Sequence, residues 1–267
     1  MKFINLRNHR KILIVDGEIG FTGGLNIREG NLLELKTDYP IQDLHFRLEG
    51  PIVAHLQEVF ADDWAYTTEE TLDSDIWFPH ITPKGEILAR GLSGGPDQNF
   101  DVLRWTILGA LSTARRSIRI VTPYFLPDQT LITSLNLAAM RGVKIEILLP
   151  EKGNLKTVQW ASTATLWQVL QHGCRIYLTP PPFDHTKLMV VDQVWTLFGS
   201  ANWDPRSLRL NFEFNVEAYD KKLATSLHQM LGERIKNARE ITHQEVNARP
   251  LHIRIRDGIF RLFTPYL

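Results

Sequence analysis

Apolar and polar positions along this chain change period several times, and each change marks an element. Lys11 to Val15 and Ile19 to Thr22 are short apolar, β-branched runs split by Asp16-Gly17, which predicts a hairpin with a tight turn. Gly30 to Gln42 is polar and mixed and reads as a loop. Leu44 to Leu48 alternates as a strand until Gly50-Pro51 breaks it. From Ile52 to about Tyr66 the period becomes helical, with Val53, Leu56, Val59, Phe60 and Trp64 on one stripe. Thr67 to Lys84, polar with two prolines, reads as a connector.

Beyond Ile87 strands and helices alternate, the sign of a mostly parallel sheet covered on both faces. The expected strands are Ile87 to Leu92, Ile118 to Thr122, Val143 to Leu149 and Arg175 to Leu178. The expected helices are Asp101 to Ser117, with Asp101 as N-cap, Thr130 to Arg141, and Thr157 to Gln171. A second hairpin, Leu188 to Val191 and Trp195 to Phe198 around Asp192-Gln193, is followed by a strand from Asn211 to Tyr219 and a long helix from Leu223 to Ile241. The tail, Pro250 to Leu267, interleaves arginines with large apolar residues and suits an interfacial element or a packed edge of the core.

The two hairpins carry the same polar residues at the same spacing. His9, Lys11, Asp16, Gly23 and Asn26 recur as His185, Lys187, Asp192, Gly199 and Asn202. His-x-Lys-x-x-x-x-Asp arises by chance on the order of once per ten thousand positions, so a matched pair sharing the later offsets is a strong signal. Alternation puts His and Lys of each copy on one face of the strand, and a cation beside an imidazole suits a bound anion.

These duplicated motifs resemble the HKD signature of the phospholipase D superfamily. Asn202-Trp203-Asp204-Pro205-Arg206-Ser207, Asn211-Phe212-Glu213, Thr122-Pro123-Tyr124-Phe125-Leu126-Pro127-Asp128 and Leu48-Glu49-Gly50-Pro51 resemble its cardiolipin synthase branch. The resemblance implies a duplicated α/β sandwich with a pseudo-two-fold axis, in which both motifs build one site. It divides the chain into 1–80 with the first motif, 81–245 with the second, and an amphipathic tail 246–267. A long run of alternating elements precedes His185 but only eight residues precede His9, so the first half is expected to lack its opening strands and helices. Lys11 to Val15 is then expected to form an exposed apolar edge.

A phosphodiester resists attack because its oxygens are negative, so a catalyst must neutralise them, supply a nucleophile and protonate the leaving alkoxide. Lys11 and Lys187 suit the non-bridging oxygens, joined by Asn26, Asn202 and the Ser200 hydroxyl. One imidazole attacks phosphorus and the other serves as acid and base; the resemblance assigns His9 and His185 in that order, and the symmetry of the motifs leaves the reverse open. An attacking imidazole needs its far nitrogen held by an acceptor. Glu213 resembles the family's acidic partner and Asp43 is its counterpart; the plainer reading pairs them with Arg47 and Arg209. Asp16 and Asp192, at the hairpin turns, are expected to position rather than transfer protons.

Composition narrows the partners. Thirty basic residues balance thirty acidic ones, which argues against a nucleic-acid ligand. Cys174 is the sole cysteine, no His spacing matches a metal site, and no nucleotide loop is present, so neither metal nor cofactor is expected. No apolar run approaches the length of a membrane span. The resemblance implies the activity of a bacterial cardiolipin synthase acting on phosphatidylglycerol, expected as a peripheral protein at the cytoplasmic face of the cell membrane. A phosphodiesterase of lipid or nucleic acid, or an inactive membrane-binding module, are the alternatives.

Overall fold

The computed structural model describes residues 6–96 and 99–264. After β1 (Arg7–Asn8), strands β2 (Ile12–Val15) and β3 (Ile19–Gly23) form the first hairpin. Asp16 and Gly17 take φ of 54° and 69°, the left-handed pair whose twist suits a two-residue hairpin turn. The stretch expected as a plain loop holds two single 3-10 turns, Glu29–Asn31 and Leu33–Leu35, and then β4 (Ile41–Gln42). β5 (His45–Glu49) completes a three-stranded sheet with β3 at its centre, and α1 (Ile52–Thr68) follows the Gly50-Pro51 break.

After the connector, β6 (Leu88–Gly94) leads to α2 (Val102–Thr113) and β7 (Ser117–Val121). Asp101 precedes α2 but does not cap it. Its backbone is left-handed at φ 64°, and its carboxylate lies 3.9 Å from both Arg104 and Arg209. The helix also stops earlier than its apolar pattern suggests, because Ser117 already pairs with Lys144 in the sheet.

Next come α3 (Gln129–Met140), β8 (Lys144–Pro150), α4 (Lys156–Thr163) and α5 (Trp167–Leu170). The single helix expected over 157–171 breaks where the Thr165 hydroxyl bonds back to the Ser162 carbonyl at 2.8 Å, competing with the helical ladder. β9 (Arg175–Thr179) and β10 (Phe183–Asp184) then approach the second hairpin, β11 (Leu188–Val191) and β12 (Trp195–Gly199), and β10 pairs in parallel with β4.

β13 (Asn211–Tyr219) precedes α6 (Lys221–Lys236), β14 (Arg239–Ile241), α7 (His243–Asn247) and α8 (Leu251–Leu262). The long helix expected to reach Ile241 ends at Lys236, and Arg239 to Ile241 pair antiparallel with β9. An open sheet edge outweighs helical propensity there. Residues 265–267 of the tail lie outside those described.

The main sheet has nine strands in the order β1-β13-β12-β11-β7-β8-β9-β14, with β6 also on β13. β7, β8 and β9 are parallel; β11 runs antiparallel to β7 and β12, and β13 is antiparallel to β12 and β6 but parallel to β1. One face packs on α2, α3 and α5 through Leu111, Leu135, Ile147 and Val169. The other face meets α6 and also receives the first part of the chain. Leu56 and Val59 of α1 share a cluster with Leu188, Phe198 and Phe214, and the Phe46 ring stacks on Phe198 with centroids 3.8 Å apart. Burial of such side chains contributes roughly 1.5–3 kcal/mol each, enough to seat the small sheet on the large one.

Candidate active site

Both hairpins present their motif at the same end. His9 and Lys11 lead into β2, and Gly23 to Asn26 leave β3; His185 and Lys187 lead into β11, and Gly199 to Asn202 leave β12. Because β11 pairs Leu188 with Val121, the second motif stands at the carboxyl ends of β7, β8 and β9, where α/β sheets open a crevice. Gly23 and Gly199 both have φ of 155°, and a Cβ at either would strike the backbone of the neighbouring strand. Only glycine permits that approach.

The approach sets the acids. Gly23 is opposite His45 and Gly199 opposite Asn215, so Asp43 and Glu213 each sit two residues before the glycine's partner. The pairing is crossed between the halves. His9 Nδ1 lies 2.9 Å from each carboxylate oxygen of Glu213, and His185 Nδ1 lies 2.9 Å from Asp43 Oδ2 and 3.1 Å from the Gly24 carbonyl. All these partners are acceptors, so each ring donates through Nδ1 and turns the Nε2 lone pair outward. Both carboxylate side chains are fully buried. The plainer pairings are not seen, since Arg47 meets Glu49 and Arg209 faces Asp101.

β1 carries His9 to its acid. It pairs in parallel with the start of β13, and the His9 amide donates to the Phe212 carbonyl at 2.8 Å. β4 does the same for the other pair: the His185 amide donates to the Gln42 carbonyl at 2.7 Å, one residue before Asp43.

Each lysine folds back onto its own histidine. Lys11 Nζ donates to the His9 carbonyl at 2.9 Å and Lys187 Nζ to the His185 carbonyl at 2.5 Å. Burial lowers the pKa of Lys11, opposed by the charges of Glu213 and Asp43. Burial lowers Lys187 to about 7, with the same two carboxylates opposing and Lys11 assisting. Two lysines that feel one another and both acids share one site. Burial and then the Lys187 charge lower the pKa of His185, against the pull of Asp43.

Ser200 departs from its expected place, whereas Asp16 and Asp192 stand at the hairpin turns as expected. The Ser200 hydroxyl does not face the gap: it is buried, donates to Glu213, and accepts the Phe214 amide at 3.0 Å. Asp16 and Asp192 sit in the turns, a strand's length from their lysines. Asp192 is occupied there, accepting the amides of Arg115, Arg116 and Ser117 at 2.7 to 2.8 Å. Four strand residues separate it from Lys187, roughly 15 Å of extended chain, which excludes direct contact with an anion at the lysine.

Asn202 is buried, with Nδ2 3.3 Å from Ser207 Oγ and Oδ1 without a partner, whereas Asn26 is half-buried. Two residues had no role in the sequence reading. Asn211 Nδ2 donates to Glu213 at 3.1 Å, and Asp204 is buried near Glu213 and His9, its pKa raised to about 6 chiefly by burial. Asn211 could have been found as the residue two before the acid, on the same strand face. Beside His185, the Phe183 ring, with centroids 6.0 Å apart, opens on a cleft of about 470 Å³ between Arg28, Tyr39 and Lys152. Among the described residues no cluster of His, Cys, Asp and Glu is arranged to hold a metal ion.

Residues 107–235 match the family described as cardiolipin synthase, PLD-like domain. The chain is 36% identical to a cardiolipin synthase of Geobacillus kaustophilus over 99% of its own length and 53% of that protein. It is also 36% identical to the major cardiolipin synthase ClsA of Bacillus subtilis, over 99% of this chain and 55% of that one. It thus spans about half the length of the curated relatives it matches. Among solved structures, the phosphatidylserine synthase of Haemophilus influenzae superposes with a TM-score of 0.72 at 16% identity, covering 97% of this chain and 71% of that one. Nuc of Salmonella typhimurium, a phospholipase D family member, superposes with a TM-score of 0.51 at 24% identity, over 59% of this chain and 99% of that one. Both share the fold.

Proposed function

Because the chain belongs to the cardiolipin synthase branch of the phospholipase D superfamily, we propose that it is a phosphatidyltransferase that makes cardiolipin and glycerol from two phosphatidylglycerols. The crossed pairing of two imidazoles with two buried carboxylates, around two lysines, carries this reading. Lys11 and Lys187 hold the non-bridging oxygens. His9 Nε2 attacks phosphorus, the bond to the glycerol headgroup breaks, and His185 Nε2 gives that oxygen a proton. His185 then takes the proton from a hydroxyl of the second phosphatidylglycerol. The new alkoxide attacks phosphorus, the phosphorus–nitrogen bond breaks, and His9 is restored.

The charges support His185 as the acid. Its proton affinity is lowered by burial and by Lys187 and Lys11. A bound phosphate anion offsets both ammoniums, so the ring gains affinity for a proton when there is a leaving group to protonate. Asn202 supplies a further donor: a half-turn of its amide presents Nδ2 in place of the unpartnered Oδ1. Asn26 occupies the matching position after the first hairpin.

The substrate places this chemistry at a bacterial membrane surface. Among the described residues no helix is long and apolar enough to cross a membrane. The test is incubation of the chain with radiolabelled phosphatidylglycerol in mixed micelles. Labelled cardiolipin with released glycerol is expected, as is an acid-labile phosphoryl group on His9 in quenched samples. Phosphatidic acid as sole product would replace the transferase reading with a hydrolase.

A further inference from the structure

α8 wears its amphipathic pattern inside out. Leu251, Ile255, Ile259, Leu262 and Phe263 are 70, 53, 50, 78 and 53% exposed, although each is large and apolar. At about 100° per residue they fall on one arc of the helix, roughly 120° wide. The opposite face, turned to the protein, is built around a charge. Asp257 is 1% exposed and accepts hydrogen bonds from Arg249 and from Arg256, the latter at 2.7 Å. The Arg256 guanidinium lies 4.2 Å over the Trp160 ring, and Phe260 packs on Trp160 at 5.0 Å. A helix pinned by a buried ion cluster with leucine and isoleucine facing out is unfavourable in water and favourable at an apolar boundary.

We propose that the outer face of α8 seats the protein on an anionic lipid bilayer. Charge selects this occupant. The helix carries Arg254 and Arg261 along one edge of the apolar arc, while its single acid, Asp257, is already neutralised by Arg249 and Arg256. A second copy of the same helix would bring like charges edge to edge, whereas anionic headgroups complement them. Position agrees. Phe260 joins Leu126, Val158 and Ala161 in one small cluster with Tyr124, and the Leu126 amide donates to the Trp203 carbonyl at 2.7 Å, next to Asn202. The bilayer-facing helix therefore stands beside the mouth of the candidate site.

This inference rests on the lipid reading for its motive, but its test reads binding alone, on a lipid that is not the proposed substrate. The full chain is floated with vesicles of phosphatidylserine in phosphatidylcholine, or of phosphatidylcholine only. The expected result is preferential flotation with the anionic vesicles, lowered about tenfold or more in the triple variant Ile255→Glu, Ile259→Glu, Leu262→Glu. Arg254→Glu is expected to lower only the anionic preference. Cleavage of a soluble nitrophenyl phosphodiester by the triple variant should match the parent chain. Should the triple variant melt below the assay temperature, Phe263→Trp keeps the question decidable: the emission it adds to that of the parent chain shifts to the blue when anionic vesicles are added. Unchanged flotation of the triple variant, equal binding to both vesicles, no blue shift of the added emission in Phe263→Trp, or a dimer that the triple variant splits would each overturn the proposal.

Discussion

The two hairpins carry the same motif in opposite surroundings. Every residue of β11 and β12 is buried, between β7 on one side and β13 on the other. β2 is an edge strand of a three-stranded sheet, with Leu13 and Val15 exposed to solvent. Yet both deliver a histidine, a lysine and a glycine to the same place. Strand burial therefore does not define the motif's geometry. The glycine crossings do, together with acids that come from the other half: Glu213 serves His9 and Asp43 serves His185. Neither copy is chemically complete alone.

The comparison breaks most completely at the imidazoles. His9→Ala and His185→Ala should each lower phosphatidylglycerol turnover by more than the two to three powers of ten typical of one lost oxyanion donor. Substantial turnover in either variant would show that the motifs work separately.

Exchange of the acids sharpens it. Glu213→Gln and Asp43→Asn should each lower turnover by about two powers of ten or more, because an amide no longer enforces the tautomer that leaves Nε2 free. A nitrophenyl leaving group needs no proton, so Asp43→Asn should recover on such a diester and Glu213→Gln should not. The opposite pattern would reverse the roles of His9 and His185.

Lys187 ties function to stability. With its pKa near 7, loss of the ammonium as pH rises through 7 should weaken binding of a dialkyl phosphate, measured by calorimetry. Stability moves the other way. The unfolded lysine keeps its proton up to about pH 10.4, so between pH 7 and 10 the unfolded state binds more protons and the folded state gains stability as pH rises. Lys187→Met should raise the melting temperature at pH 7, remove that rise, and cost two to three powers of ten in turnover.

The glycine and serine after each hairpin are not interchangeable. A Cβ at Gly24 would collide with the Asp43 carboxylate and the His185 carbonyl, so Gly24→Ser should damage the site. Ser200→Gly takes a donor from buried Glu213, and loss of about 1–3 kcal/mol is expected in denaturant titration. Phe46→Ala, which removes the stack on Phe198, should cost about 2 kcal/mol, less than a fully buried phenylalanine because Phe46 is half-exposed. A smaller loss would mean that the two sheets are held together elsewhere.

Much of this was legible in the residue order, because it depends on local periods and fixed offsets. The hairpins, the strand Asn211–Tyr219 and the helix after Gly50-Pro51 follow from alternation and from turn residues that accept positive φ. The motif spacing likewise pointed to His9, Lys11, His185 and Lys187 as one chemical set. What only the tertiary structure decided involves partners distant in the chain. The place of Ser200 in the motif suggests a phosphate ligand and says nothing of Glu213, thirteen residues on, whose carboxylate its hydroxyl meets. Arg239 to Ile241 read as helix until β9 offered an open edge. The crossing of the acids has the same origin: His9 and Glu213 are 204 residues apart, and no local pattern tells a histidine which half supplies its carboxylate.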